Sequence, residues 1–359
     1  MDLNELLRYT VEQNASDLHL KVGLVPHVRV DGELRATSYA EITREELEAL
    51  ILSVIPYERS EDYRKNYEAD FGITAGALGR FRVNAFRQRG LPSMVLRRLP
   101  KNVPTFKSLG LPIVAQRLAD EPNGLILVTG PTGSGKTTTT AAMIDYINKS
   151  RSAHIITIED PIEVLHEDQK SLVSQREVGI DTKSFAEALR RALRQDPDVI
   201  FIGEIRDEET VQVALSAAET GHLVISTLHT INASETINRI IDFFPLDKQR
   251  QVRTTLAGTL RGVLSQRLLA RTDGLGRIPA TETLVVNGRV LERIIGDETI
   301  DGIEEIMREG EYYGMHTFDQ SLFELVRDGV ITERDAFTVA TNAHDLSVEL
   351  RQAGVTADV

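Results

Sequence analysis

Residues 130–138 read Gly130-Pro131-Thr132-Gly133-Ser134-Gly135-Lys136-Thr137-Thr138 and match the spacing G-x-x-x-x-G-K-[ST]. Glycines at that spacing let successive backbone N–H groups turn toward one anion, and a helix starting at the loop adds its positive dipole end. Lys136 is a point charge for the β- and γ-phosphates, and the Thr137 hydroxyl is a ligand for Mg²⁺. The flanks suit the motif. Leu125–Thr129 is an apolar run of strand length, and Ala141, Ala142, Ile144 and Ile147 share one helical face. The segment is expected to bind ATP or GTP with Mg²⁺.

Hydrolysis needs a carboxylate to orient or deprotonate water, a second acid near Mg²⁺, and a group that senses the γ-phosphate. Candidates follow three apolar runs. Residues 154–159 lead into Glu159-Asp-Pro-Ile-Glu163, residues 198–203 into Glu204-Ile-Arg-Asp207, and residues 223–228 into His229. Glu204 is the first candidate for the water and Glu163 the second. Both are also candidates for the metal, with Thr137. His222 and His229 bracket the last run and are candidate γ-phosphate sensors. No H-E-x-x-H spacing supports a histidine–carboxylate metal site.

These residues need a sheet. Runs at 125–129, 154–159, 198–203 and 223–228 alternate with helical patterns such as Phe185, Ala188, Leu189, Ala192 and Leu193. Such alternation predicts an α/β fold with a mainly parallel sheet, its ligands at the C-terminal strand ends. Residues 233–244 and 246–271 read as further helices, and a helical tail is expected after Gly274–Gly276. The first hundred residues differ. Short alternating runs, helical stretches near 2–14 and 43–55, and Asp31-Gly32 between apolar flanks predict a smaller α+β domain with a hairpin. The expected organisation is an N-terminal domain at 1–100, a proline-containing connector at 101–124, an ATPase core at 125–272 and a helical region at 273–359.

Between Phe71 and Ala119 there is no Asp or Glu, although the 359-residue chain carries a formal net charge of −13. That stretch holds Arg80, Arg82, Arg87, Arg89, Arg97 and Arg98. Alternation puts Arg80, Arg82 and Asn84 on one strand face and Phe81, Val83 and Ala85 on the other. Guanidiniums without acidic partners suit an external anion such as phosphate, including a nucleotide held by a neighbouring subunit. A solvated basic face and nucleic acid are the alternatives. The acidic balance argues against a dedicated nucleic-acid binder. There are no cysteines, so disulfides and thiolate metal sites are excluded. Neither a signal peptide nor an apolar run of about 18 residues is present, so the expected location is cytosolic, with membrane contact only through a partner.

Several motifs together resemble the secretion and type IV pilus motor ATPase family, specifically its PilT-type pilus retraction branch. They are Ala15-Ser-Asp-Leu-His-Leu20, the P-loop, and three family boxes. Ile156-Thr-Ile-Glu-Asp-Pro-Ile-Glu163 resembles the Asp box. Asp196-Pro-Asp-Val-Ile-Phe-Ile-Gly-Glu-Ile-Arg-Asp207 resembles Walker B, and Thr220-Gly-His-Leu-Val-Ile-Ser-Thr-Leu-His229 the His box. The resemblance implies a PAS-like N-terminal domain, a RecA-like ATPase domain and a homohexameric ring. It also implies docking on an inner-membrane pilus platform protein, with no nucleic acid bound and no direct membrane insertion. By position, Arg82 and Arg97 match the arginines that reach ATP, Glu204 the Walker B glutamate, Glu163 the Asp-box glutamate, and His222 and His229 the His-box pair. A Cys₄ zinc insertion, usual in extension and type II secretion relatives, is absent, which favours retraction. The branch's helical signature is matched only in part, by Asp301-Gly-Ile-Glu-Glu-Ile-Met-Arg-Glu309. An accessory ATPase of the same family, a RecA-like nucleic-acid translocase and a non-motor regulatory module are the alternatives.

Overall fold

A computed structural model describes residues 2–100, 102–296 and 302–355. The chain divides into two compact units, and two later excursions belong with the first. Unit one is Met1–Val103, Glu159–Glu167 and Gln175–Ser184; unit two is Pro104–Ile158, Asp168–Ser174 and Phe185–Val359.

The first unit opens with α1 (Leu3–Glu12), whose first turn is capped by the Asp2 carboxylate accepting from Asn4 N–H. Leu3, Leu6, Leu7 and Thr10 recur at helical spacing and are its buried face. Then follow β1 (Asp17–Lys21), β2 (His27–Val30) and β3 (Glu33–Ala36). Asp31 and Gly32 join β2 to β3 with φ of 51° and 86°, the positive pair that a two-residue hairpin turn requires. A Thr43/Glu46 capping box starts α2 (Arg44–Val54), and α3 (Tyr57–Asn66) follows. The strands β4 (Glu68–Thr74), β5 (Arg80–Gln88) and β6 (Leu91–Arg98) complete a six-stranded sheet in the order β3-β2-β1-β6-β5-β4. Its ladders are antiparallel. On β5 the predicted alternation holds, with Phe81, Val83 and Ala85 fully buried. Truncating a buried Phe typically costs about 3–5 kcal/mol, so this row fixes which face is inward and leaves Arg80 and Arg82 on the other.

In the second unit α4 (Phe106–Leu109) and α5 (Ile113–Ala119) precede β7 (Gly124–Thr129) and α6 (Lys136–Ser150). Next come β8 (His154–Glu159), β9 (Leu172–Glu177), α7 (Phe185–Ala192), β10 (Val199–Ile202), α8 (Glu208–Glu219) and β11 (Leu223–Leu228). Then α9 (Ala233–Asp242), α10 (Leu246–Thr259), β12 (Leu260–Ala270) and β13 (Arg277–Val285) follow. The C-terminal helices are α11 (Gly288–Ile295), α12 (Ile303–Arg308), α13 (Phe318–Arg327), α14 (Glu333–Val339) and α15 (Ala343–Gln352). The sheet order is β13-β12-β7-β11-β10-β8-β9. From β12 through β8 neighbouring strands are parallel, and β13 is antiparallel to β12. The central strands are buried along their whole length, which is why they read as unbroken apolar runs.

One expectation is corrected here. Residues 246–271 do not form a single helix. The helix stops at Thr259, and 260–270 is a strand parallel to β7. Leu260, Val263, Leu264 and Leu268 match a helical period, but a strand buried on both faces needs no alternation. Gly262 marks the difference. A Cβ there would lie 2.7 Å from both Leu118 Cδ2 and the Leu284 carbonyl, the close approach of a packed sheet. The Gly274–Gly276 turn therefore joins two strands instead of opening a helical tail.

Candidate active site

In the second unit the P-loop leaves β7 at Gly130 and enters α6 at Lys136. Gly130, Gly133 and Gly135 all have positive φ, at 143°, 81° and 91°. Space forbids a side chain at the first of them. A Cβ on Gly130 would lie 2.4 Å from the Gln266 carbonyl and 2.6 Å from Ser134 Oγ. Lys136 Nζ donates back to the Gly130 carbonyl at 2.7 Å and the Pro131 carbonyl at 3.0 Å, so the ammonium spans the mouth of the loop. Burial lowers its pKa from the ordinary lysine value. Thr137 and Thr138 are exposed in the first turn of α6. This is a cradle of amides with one cation over it, suited to a polyphosphate. Among the described residues no cluster of three His, Cys, Asp or Glu side chains could hold a metal by itself. Magnesium fits such a site because it takes one or two side chains plus phosphate oxygens.

Glu204 lies two residues beyond β10. Its segment is pinned to β11 by Ile205 N–H donating to the Thr227 carbonyl and by Thr227 Oγ1 donating to the Gly203 carbonyl at 2.6 Å. One carboxylate oxygen pairs with Arg206 Nε and the other lies 3.3 Å from His229 Nε2. Burial lowers the His229 pKa, and the positive charges of Lys136 and Arg206 push it further the same way. The structure thus gathers the P-loop lysine, a carboxylate and an imidazole of lowered pKa at one sheet edge.

His222 is not part of that group. It precedes β11, and its Nδ1 lies 2.9 Å from the Ala217 carbonyl and 3.2 Å from Thr220 Oγ1. Six strand residues at about 3.3 Å each separate it from His229 by about 20 Å, so it stands at the opposite sheet edge from its own P-loop.

Glu163, Arg82 and Arg97 lie in the first unit. The expectation that these arginines lack acidic partners is corrected. Arg82 Nη1 donates to Glu163 Oε1 at 3.3 Å, and Arg97 Nε donates to Asp17 Oδ1 at 2.8 Å. Burial alone would raise the Asp17 carboxyl. Hydrogen bonds from Arg97 and Ser16, with the Arg97 charge, outweigh it and hold the group below the usual carboxylate range. Arg80 donates from Nε to the Ile162 carbonyl and from Nη2 to Glu177 Oε2, which also accepts from Ile162 N–H. Both polar groups of the residue before Glu163 are therefore held by one buried ion pair. The partners come from 80 to 97 residues away in sequence, which a local scan for acids misses.

A family model described as type II/IV secretion system protein matches residues 1–311. The chain belongs to that family, among its PilT-type ATPases. It is 45% identical to the type IV pilus retraction ATPase PilT of Pseudomonas aeruginosa, over 94% of this chain and 97% of that one. It is 42% identical to the type IV pilus ATPase PilU of the same organism, over 98% of this chain and 92% of that one. A crystal structure of the pilus retraction motor PilT with bound ADP superposes with a TM-score of 0.90 at 46% identity, covering 97% of this chain and 99% of that one. The α/β ATPase unit with a smaller α+β unit, read from the sequence, agrees with this match. Two residues at the P-loop edge escaped the sequence reading: Arg206, inside a run already noted for its acids, and Gln266, on a strand taken for helix. Register on β12 would have exposed the second.

Proposed function

We propose that this protein is a ring-forming motor ATPase that hydrolyses ATP to retract a type IV pilus. The supporting observation is the P-loop with Lys136, Glu204 and His229 on one sheet edge, in a chain 45% identical to a pilus retraction ATPase along nearly its whole length. In this reading residues 130–138 hold the phosphates, with Lys136 over them. Thr137, Glu204 and Glu163 serve Mg²⁺, which when bound neutralises phosphate charge. Glu204 orients or deprotonates the attacking water. His229 donates from Nε2 to Glu204 and reports the γ-phosphate. Arg82 and Arg97 exchange their carboxylate partners for phosphate. His222, at the far edge, acts away from its own P-loop. The assembly is a homohexamer, since heterologous interfaces close into rings. It works on an inner-membrane pilus platform protein from the cytoplasmic side, and binds no nucleic acid. Among the described residues no helix is long and apolar enough to cross a membrane.

A second reading is an accessory pilus or secretion ATPase of the same family, because another type IV pilus ATPase, PilU, matches at 42% identity against 45% for PilT. ATPase activity with and without single-stranded DNA, measured beside native mass, tests the motor reading. A hexamer whose turnover ignores DNA is the expected result. A monomer under ATP, or turnover that requires DNA, contradicts it.

A further inference from the structure

The strand that was hardest to see in the sequence lies against the P-loop. Ser265 Oγ on β12 shares a hydrogen bond with Thr129 Oγ1 at 2.8 Å, at the last residue before the loop. The next residue, Gln266, is 1% exposed, and its Nε2 donates to the Ser134 carbonyl at 2.6 Å. Its own carbonyl is the atom that a Cβ on Gly130 would strike, and its Nε2 lies 3.0 Å from where a Cβ on Gly135 would be. Gln266 therefore touches the first glycine, the fourth variable residue and the last glycine of the motif.

Its Oε1 is buried with no hydrogen-bond partner among the described residues. Burying an amide carbonyl unpaired is costly, and a Met or Leu of similar volume would avoid that cost. Packing alone does not account for a glutamine here. The bond from its Nε2 to the Ser134 carbonyl does. The Ser134–Gly135 peptide is trans, so its C=O and N–H point to opposite sides. Fixing the Ser134 carbonyl against Gln266 therefore aims the Gly135 N–H the opposite way, away from β12. Glycines at 133 and 135, both at positive φ, would otherwise let that peptide rotate.

We infer that Gln266 is a positioning residue for the nucleotide phosphates, acting through the Ser134–Gly135 peptide. The inference rests on the P-loop reading. An amide donor to phosphate acts on bound substrate and transition state alike, so its loss raises KM and leaves kcat largely unchanged. A merely structural role would lower stability or the active fraction instead, at constant KM.

The test uses the full chain with Gln266→Met and Gln266→Glu, beside Lys136→Ala, with ADP affinity by calorimetry and ATP turnover. Gln266→Met should weaken ADP binding and raise KM about tenfold or more, with kcat within about twofold of wild type. Gln266→Glu sets a carboxylate against the Ser134 carbonyl and should bind ADP more weakly still at pH 8. Its affinity should recover toward pH 5.5, as protonation restores a donor, while wild type shows no such recovery. That pH trend decides the matter if the Met variant does not fold. ADP affinity within twofold of wild type in Gln266→Met, or a pH-independent defect in Gln266→Glu, while Lys136→Ala has lost turnover, overturns the inference and spares the P-loop reading. Normal turnover by Lys136→Ala overturns both.

Discussion

Glu282 on β13 carries the clearest electrostatic cost in the ATPase unit. It is 4% exposed, and burial pushes its carboxyl up from 4.5 to about 7. Ala233 N–H at the start of α9 donates to its Oε1 at 2.8 Å, the Phe318 N–H at the start of α13 also donates, and Arg267 attracts it. These favour the charged form, whereas Glu304 opposes it, and burial outweighs them. Because the folded value lies above the unfolded one, the native state binds the proton more tightly. The stabilising contribution is full below pH 4.5 and is lost as pH rises to about 7. A rise from 4.5 to about 7 at about 1.4 kcal/mol per pH unit makes this contribution about 3 kcal/mol. Glu282→Gln is neutral at every pH and keeps an acceptor for Ala233. Its stability relative to wild type should therefore increase by about 3 kcal/mol between pH 4.5 and pH 8. Urea unfolding of the nucleotide-free proteins, at fixed concentration across that range, measures the difference. Parallel stability curves would show that Glu282 titrates normally and would refute the assignment of its burial as the dominant cause.

The remaining expectations concern the reaction and its use. Glu204→Gln keeps the side-chain shape and loses basicity, so it should bind ATP and turn over about 10²–10⁴-fold more slowly; a kcat within about threefold of wild type moves the role to Glu163. Arg82→Ala removes a guanidinium from Glu163 and, if Arg82 stabilises the transition state, should lower kcat more than nucleotide affinity; an unchanged kcat leaves Arg82 as a structural partner of Glu163. Truncation before Asp301, a residue outside those described, removes α12 to α15 and should leave measurable ATPase activity while abolishing retraction; full motility after truncation contradicts a coupling role for that region.

The legible parts of this molecule were those where chemistry and local pattern coincide. The P-loop, the α6 face and the apolar strands 124–129 and 223–228 announce themselves because buried parallel strands need unbroken apolar runs. The helical stretches near 2–14 and 43–55 were equally readable, as α1 with its neighbouring turn and α2. What failed was non-local. The strand at 260–270 hid behind a helix-like spacing; its pairing with β7 and β13 and the crowding at Gly262 decide it. The arginines of β5 and β6 looked unpaired because Asp17, Glu163 and Glu177 lie far off in sequence. His222 stands apart from His229 for a simpler reason. Two residues that bracket a six-residue strand must face opposite edges of its sheet.

The central claim is that hydrolysis at this P-loop drives pilus retraction. The most direct test replaces the chromosomal gene by wild type or by Lys136→Ala and follows fluorescently labelled pili on living cells. The account predicts normal retraction with wild type, and extended, non-retracting surface pili with Lys136→Ala. Retraction at wild-type frequency and speed in the Lys136→Ala cells would contradict it.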